Sequence, residues 1–219
     1  MWIAELWRYP VKSMAGEALQ SAEVREDGIV GDRVVLVRDG RGRVITARSR
    51  PQLLAHHATL GPDGEPHVDG RLWRLAEVQR DVRAAVRDER AELFRWDGPE
   101  RFDVLPLLVA TDGAVAAFGY DGRRLRPNIV IGGVPGVEER RWEGGTLRAG
   151  SVVIGVQDLR QRCVMTTFDP DTQEQDVEVL KRIHREFGGS LALNCMVIAG
   201  GTLHVGDAVE FSTAARDGM

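Results

Sequence analysis

The sequence predicts a mainly β protein with a few short helices. Two observations carry that expectation. Asp-Gly occurs eight times in 219 residues, at Asp27, Asp39, Asp63, Asp69, Asp97, Asp112, Asp121 and Asp217, and this dipeptide supplies the positive φ that two-residue hairpin turns demand. Apolar residues mostly alternate or run as short β-branched stretches, as in RVVLVRDGRGRVITA, whereas helical periodicity is confined to a few segments. Many short strands at regular spacing argue for barrels or sandwiches rather than βαβ units.

In chain order, residues 33–38 and 43–47 read as paired strands around a short loop, and EPHVDGRLWRL as a second, smaller hairpin. Residues 49–54 suit a short helical turn, with Pro51 tolerated in its first turn. Residues 79–92 stay open between helix and loop: the composition suits a helix, yet Val82 and Val86 alone make a thin apolar stripe. The passage 92–105 is the best place for a boundary, which gives domains over residues 1–98 and 99–219. Thr111-Asp112 followed by GAVAAFGY reads as a capped short helix ending at Gly119. SVVIGV, residues 151–156, is a β-branched run that predicts a buried strand. Residues 164–168 read as a second short strand leading into the turn Asp169-Pro170-Asp171-Thr172. Residues 176–187 place Val177, Leu180, Ile183 and Phe187 on one amphipathic face, ended by Gly188-Gly189. LALNCMVIAG, residues 191–200, reads as a buried strand with Cys195 in the core.

Composition narrows the function classes. A net charge of −4 and an isoelectric point near 5.8 leave no footprint for nucleic acid or an anionic membrane. Two cysteines far apart make neither a secreted disulfide framework nor a zinc-finger spacing. No stretch approaches the ~18 consecutive apolar residues of a transmembrane helix. The first eleven residues hold too short an apolar run for a signal peptide, so the cytoplasm is the expected location. His56-His57 would point to opposite faces of a strand and reads as structural, and His184 sits in a basic helical stretch as a solvated residue.

The chemistry concentrates at Cys163, which follows Arg162 directly. A cation beside a thiol favours the thiolate, the form that attacks electrophiles or binds a soft metal. The local residues leave a second reading open, an inert buried cysteine, because free Cys is among the most buried residue types. Lys12 and Arg33 are likewise open: each suits an anion, and each also suits an ordinary surface, with Asp32 or Asp39 as partners for Arg33.

Several words in order change that balance: RPNIVI (126–131), Trp142, RCVMTTFDPDT (162–172) and LHVGDAVEF (203–211). Together they resemble the MOSC domain, a β-barrel module that binds the molybdenum cofactor. LWRYPVKSMAGEAL (6–19) and GDRVVLVRDGRGRVITARSRPQLL (31–54) resemble the β-barrel domain that precedes MOSC in the amidoxime reducing components and their bacterial counterparts. The resemblance implies two fused β-barrel-like domains and molybdenum held by a pterin dithiolene, with Cys163 as its protein ligand. It implies cofactor contacts from Lys12 and Ser13 of PVKS, Arg33 of GDR, and Arg126 and Asn128 of RPN. Arg162 beside the cysteine joins that set, as do Thr111 and Asp112 at a strand-to-helix turn near the cofactor. Arg offers a planar fork suited to phosphate, and Asn offers both donor and acceptor. The implied activity is two-electron reduction of N-hydroxylated or N-oxide small molecules by oxygen transfer at molybdenum, with electrons from a separate donor protein. The family also carries a pyridoxal phosphate label. Two other readings stand beside it, a persulfide carrier at Cys163 and a non-catalytic cofactor-binding module. The chain departs from the eukaryotic pattern at residues 192–195, where ALNC replaces a Phe-Gly and Tyr cluster, so the substrate pocket has its own shape.

Overall fold

A computed structural model describes residues 1–96 and 98–213. Asp97, and with it the Asp97-Gly98 pair, lies outside the described residues, as does Asp217-Gly218. The mainly β expectation holds: three α-helices punctuate a chain of short strands. The largest sheet has eight strands, in the order Glu210–Ser212, Thr146–Ala149, Val152–Gln161, Ser190–Ala199, Leu107–Thr111, Ile129–Gly132, Trp2–Arg8, Glu17–Leu19. Three further three-stranded sheets pack around it, and none closes on itself as a ring among the described residues.

Within the large sheet one pair is parallel, Leu107–Thr111 with Ile129–Gly132. Parallel neighbours require a crossover. Helix α2 (Asp112–Phe118; numbering the three helices in chain order) and a 3-10 turn at Gly122–Leu125 supply it. Thr111 caps α2 by accepting the Ala114 amide at 3.1 Å, and Gly119 ends it at φ 72°, both as expected. This crossover delivers Arg124 and Arg126 to one end of the sheet.

The first strand, Trp2–Arg8, pairs with Ile129–Gly132, so the two sequence halves share one core. That core draws Ile3, Leu6, Val24 and Ile29 together with Leu107, Ile129, Ile154 and Leu193. Cys195 lies fully inside it, and burial pushes its thiol well above the ordinary range. A second core gathers Val11, Val35, Val37, Leu53, Val68 and Leu93 under helix α1 (Ala76–Val86). The thin stripe at 79–92 is explained by α1 starting three residues earlier. Val78 joins Val82 and Val86, all fully buried at i, i+4, i+8, and the chain then leaves the helix for the strand Glu92–Arg95.

Helix α3 (Val177–Phe187) is capped by Asp176 and ended by Gly188 at φ 63°. Its buried stripe is Val179, Ile183 and Phe187; Val177 is 50% exposed. The face predicted from Val177 and Leu180 is rotated, because an i, i+4, i+8 set stays closer to one side of a helix with 3.6 residues per turn than an i, i+3, i+6, i+10 set does. Residues 164–168 form no strand. Val164–Thr167 is a 3-10 turn in which the Thr166 and Thr167 hydroxyls donate to the Cys163 and Val164 carbonyls at 2.9 and 2.7 Å. Such local bonds outcompete a ladder despite the β-branched composition. Arg33 also sits outside its predicted strand, which spans Val35–Arg38, and takes φ 54° in the preceding turn. No helix among the described residues is long and apolar enough to cross a membrane.

Candidate functional site

The strand Val152–Gln161 runs past its predicted end and projects Arg160 toward the same side as Arg162, two residues on. Cys163 follows at the start of the 3-10 turn, half-exposed, on the wall of a cleft open to solvent. Six of the residues expected from sequence line it: Lys12, Ser13, Arg33, Arg126, Arg162 and Cys163. Arg48, Arg124, Arg160 and Asp103 line it too, and sequence reasoning had not singled them out.

Three of those six hold a backbone conformation that L-residues rarely adopt. Ser13, Arg33 and Arg126 have φ of 72°, 54° and 55°, against seven such non-glycine residues among those described. Left-handed non-glycine residues cost on the order of 1–3 kcal/mol each and cluster at ligand sites. Tyr9 underlies two of them. Its ring stacks on the Arg126 guanidinium at 4.2 Å and lies 5.3 Å from that of Arg33, while its hydroxyl donates to the Pro127 carbonyl at 3.1 Å. Burial pushes the Tyr9 phenol up to about 12, so it stays neutral between two cations.

Seven cations and one carboxylate line the cleft. Some charges are matched inside the protein. Arg33 is paired with the fully buried Asp32, whose other oxygen accepts the Tyr9 amide at 2.7 Å. Arg124 reaches Asp169 at 2.9 Å. Asp103 meets Lys12 at 3.0 Å, Arg48 at 2.6 Å and Arg160 at 3.2 Å. Burial lowers Arg48, but Asp103 and the Cys163 sulfur beside it outweigh burial and raise it.

Arg126 and Arg162 are different. Desolvation pulls both guanidinium groups down to about 10, and neither forms an ion pair among the described residues. Arg162 donates through Nη2 to the Leu125 carbonyl at 2.7 Å, while its buried Nε and Nη1 have no partner. Buried donors are nearly always satisfied, so two on one side chain mark a place for an acceptor from outside the chain. Among the described residues, no three His, Cys, Asp or Glu side chains gather as metal ligands. A metal at Cys163 must therefore bring its remaining ligands with it.

Three expected site residues do not line this cleft. Asn128 is fully buried; its Oδ1 accepts the Leu108 amide at 3.1 Å and faces Arg33 at 3.4 Å, and it lines an adjoining recess with Phe102 and Asn194. Thr111 caps α2 and donates to Glu139 at 3.2 Å. Burial raises the Asp112 carboxyl, but accepting the amides of Gly133 and Val134 at 2.7 and 3.0 Å holds it below the usual range. Both residues fasten the crossover that carries Arg126. His56 pairs with Asp69 at 2.8 Å, as a structural residue would.

The fold is mainly β, and one cleft gathers seven cations around a thiol among the described residues. A family model described as the MOSC N-terminal beta barrel domain matches residues 1–101, and one described as the MOSC domain matches residues 114–210. The chain belongs to the MOSC family, with that N-terminal domain ahead of the MOSC domain. It is 26% identical over 240 residues to mitochondrial amidoxime-reducing component 1 of Homo sapiens, covering 82% of this chain and 71% of that protein. Mitochondrial amidoxime reducing component 2 of Macaca fascicularis is 26% identical over 229 residues, covering 78% and 67%. The YUAD protein from Bacillus subtilis shares the fold with a TM-score of 0.52 at 13% identity, covering 96% of this chain and 98% of that one.

Proposed function

We propose that this cleft binds the molybdenum cofactor and that the protein reduces N-hydroxylated or N-oxide small molecules, drawing electrons from a separate donor protein. The observation that carries the reading is the Arg162–Cys163 pair. Buried guanidinium donors without an acceptor stand directly beside a half-exposed thiol in one cationic cleft. The cofactor's phosphate matches those donors, its dithiolene supplies the ligands the chain lacks, and its soft metal suits a thiolate. The similarity to the amidoxime reducing components supports the same reaction class.

When bound, the cofactor supplies the two-electron reduction of an N–O bond. The chain's part is to bind and orient it. Arg162 and Arg126 would hold the phosphate or the pterin edge. Ser13, Lys12 and Arg33 would line its flank, with Arg33 fixed by Asp32 and Tyr9. Cys163 would ligate the metal. The family's pyridoxal phosphate label gains no support here, because the cleft's one lysine, Lys12, is tied to Asp103 and to the Arg101 carbonyl at 2.8 Å.

Cys163→Ser tests the assignment. A serine oxygen keeps the size but is a harder, far less acidic ligand than a thiolate. The variant should keep cofactor through its anion contacts yet lose reduction of an N-hydroxylated substrate driven by an artificial electron donor. Turnover insensitive to Cys163→Ser would remove the ligand role. Cyanide-labile sulfur without turnover in the wild type would replace this reading with the persulfide carrier.

A further inference from the structure

Asp103 is the single carboxylate among the described residues that line the cleft, and its contacts come from three separate stretches of chain. Lys12 follows the first strand and meets Oδ1; Arg48 follows the strand Val44–Ile45 and Arg160 lies on Val152–Gln161, and both meet Oδ2. Each of these cations is largely committed. The Lys12 ammonium also donates to the Arg101 carbonyl at 2.8 Å, and Arg160 Nη1 faces Asn194 Oδ1 at 3.5 Å. Asn194 in turn donates to Asp158 at 2.6 Å, so the arc is braced from behind. Burial raises the Asp103 carboxyl, yet Lys12, Arg48 and Arg160 hold it below the usual range, so it is ionised. By contrast, Arg162 keeps two buried donors free and Arg126 makes no ion pair among the described residues.

We propose that Asp103 is a positioning residue. It draws Lys12, Arg48 and Arg160 into one arc, sets Arg48 against the Cys163 sulfur, and leaves Arg126 and Arg162 as the anion seat. A ligand's anionic group is therefore taken by Arg126 and Arg162 rather than by the three cations that Asp103 neutralises. This rests on the reading of the cleft as a ligand site, and it is independent of which metal, if any, the ligand carries.

The test uses full-length, cofactor-free protein with inorganic pyrophosphate as the probe, titrated calorimetrically at fixed ionic strength. In the wild type, Arg162→Gln should weaken pyrophosphate about tenfold or more, the loss expected of a charge-assisted contact. Arg160→Gln should change it less than about threefold, since its donors face Asp103 and Asn194. Asp103→Asn should tighten the probe about tenfold, by releasing three cations, and should make binding sensitive to Arg160→Gln; Asp103→Glu should restore wild-type behaviour. A merely structural aspartate predicts no gain of affinity and no new dependence on Arg160. Unchanged or weaker binding in Asp103→Asn overturns the proposal. If that variant fails to fold, equal losses from Arg160→Gln and Arg162→Gln in the otherwise wild-type chain overturn it instead. Molybdenum uptake is measured separately, so a chain that takes up no metal but shows this pattern sinks the redox reading and leaves the positioning role of Asp103 standing.

Discussion

At the scale of single residues, the two cysteines are separated by environment alone. Cys163 stands half-exposed on a cationic wall, and Cys195 is fully enclosed between Val109, Leu193 and their neighbours. Iodoacetamide under native conditions should therefore label Cys163 and spare Cys195, and peptide mass mapping reads the result; labelling of Cys195 at a comparable rate would contradict the core placement. Some of the site was legible in the chain. Cys163 with Arg162, PVKS and RPN were readable as words. Arg160 was readable from a strand period of two, since it shares a face with Arg162. Other parts had no local signal. The positive φ of Ser13, Arg33 and Arg126 is imposed by what surrounds them, and side chains of these types ordinarily avoid it. Asp103 acquires its role from partners 91, 55 and 57 positions away in sequence, at Lys12, Arg48 and Arg160. Thr111 and Asp112 show the converse, because their polar atoms are used up within the crossover.

At the scale of elements, turn and cap chemistry carried most of the information. Asp69-Gly70 forms the expected two-residue turn, with φ of 51° and 76°, between Pro66–Val68 and Arg71–Leu72. Asp39 caps its loop by accepting the amides of Arg41 and Arg43 at 2.8 and 2.9 Å, and these bonds hold its carboxyl down at about 2, against an ordinary 3.8. A depressed carboxylate stabilises fully above its unfolded value, and the contribution is lost as pH falls through the folded one. The melting-temperature gap between wild type and Asp39→Asn should thus be constant above about pH 5 and shrink steadily as pH falls toward and through about 2; a gap that widens on acidification would contradict this. Helix α1 ends on Arg87, exposed at φ 55°. Arg87→Gly should stabilise the protein by about 0.5–1 kcal/mol in a denaturant titration, because glycine meets no penalty there. Gly113 is the opposite case. A Cβ there would lie 2.1 Å from the Val134 carbonyl oxygen and 2.4 Å from that of Gly136, both backbone atoms. Gly113→Ala should cost about 1–3 kcal/mol by forcing α2 off the sheet, with a matching fall in urea midpoint. The elements that misled were those where side chains bonded locally or the stripe was read a turn out of phase, as in Val164–Thr167 and α3.

At the scale of the whole molecule, the arrangement explains why one cleft can collect cations from so many places. The first strand pairs inside the eight-stranded sheet, so residues 12, 13 and 33 arrive at the same end as the crossover and the strand Val152–Gln161. Alternation and turns in the sequence predicted strands but not their pairing order, which is set by contacts far apart in the chain. Asp103, Asp32 and Asp169 pair most of those cations, and the guanidinium donors of Arg162 are left without a partner. The central claim is that those donors and Cys163 hold the molybdenum cofactor. Its most direct test is elemental molybdenum per chain, measured on wild type and Arg162→Gln purified from cells able to make the cofactor. The account predicts close to stoichiometric molybdenum in the wild type, and a loss in Arg162→Gln corresponding to about 10- to 150-fold weaker binding, with the fold intact by circular dichroism. Wild-type protein free of molybdenum, or a variant that retains it in full under dilution, would contradict the claim.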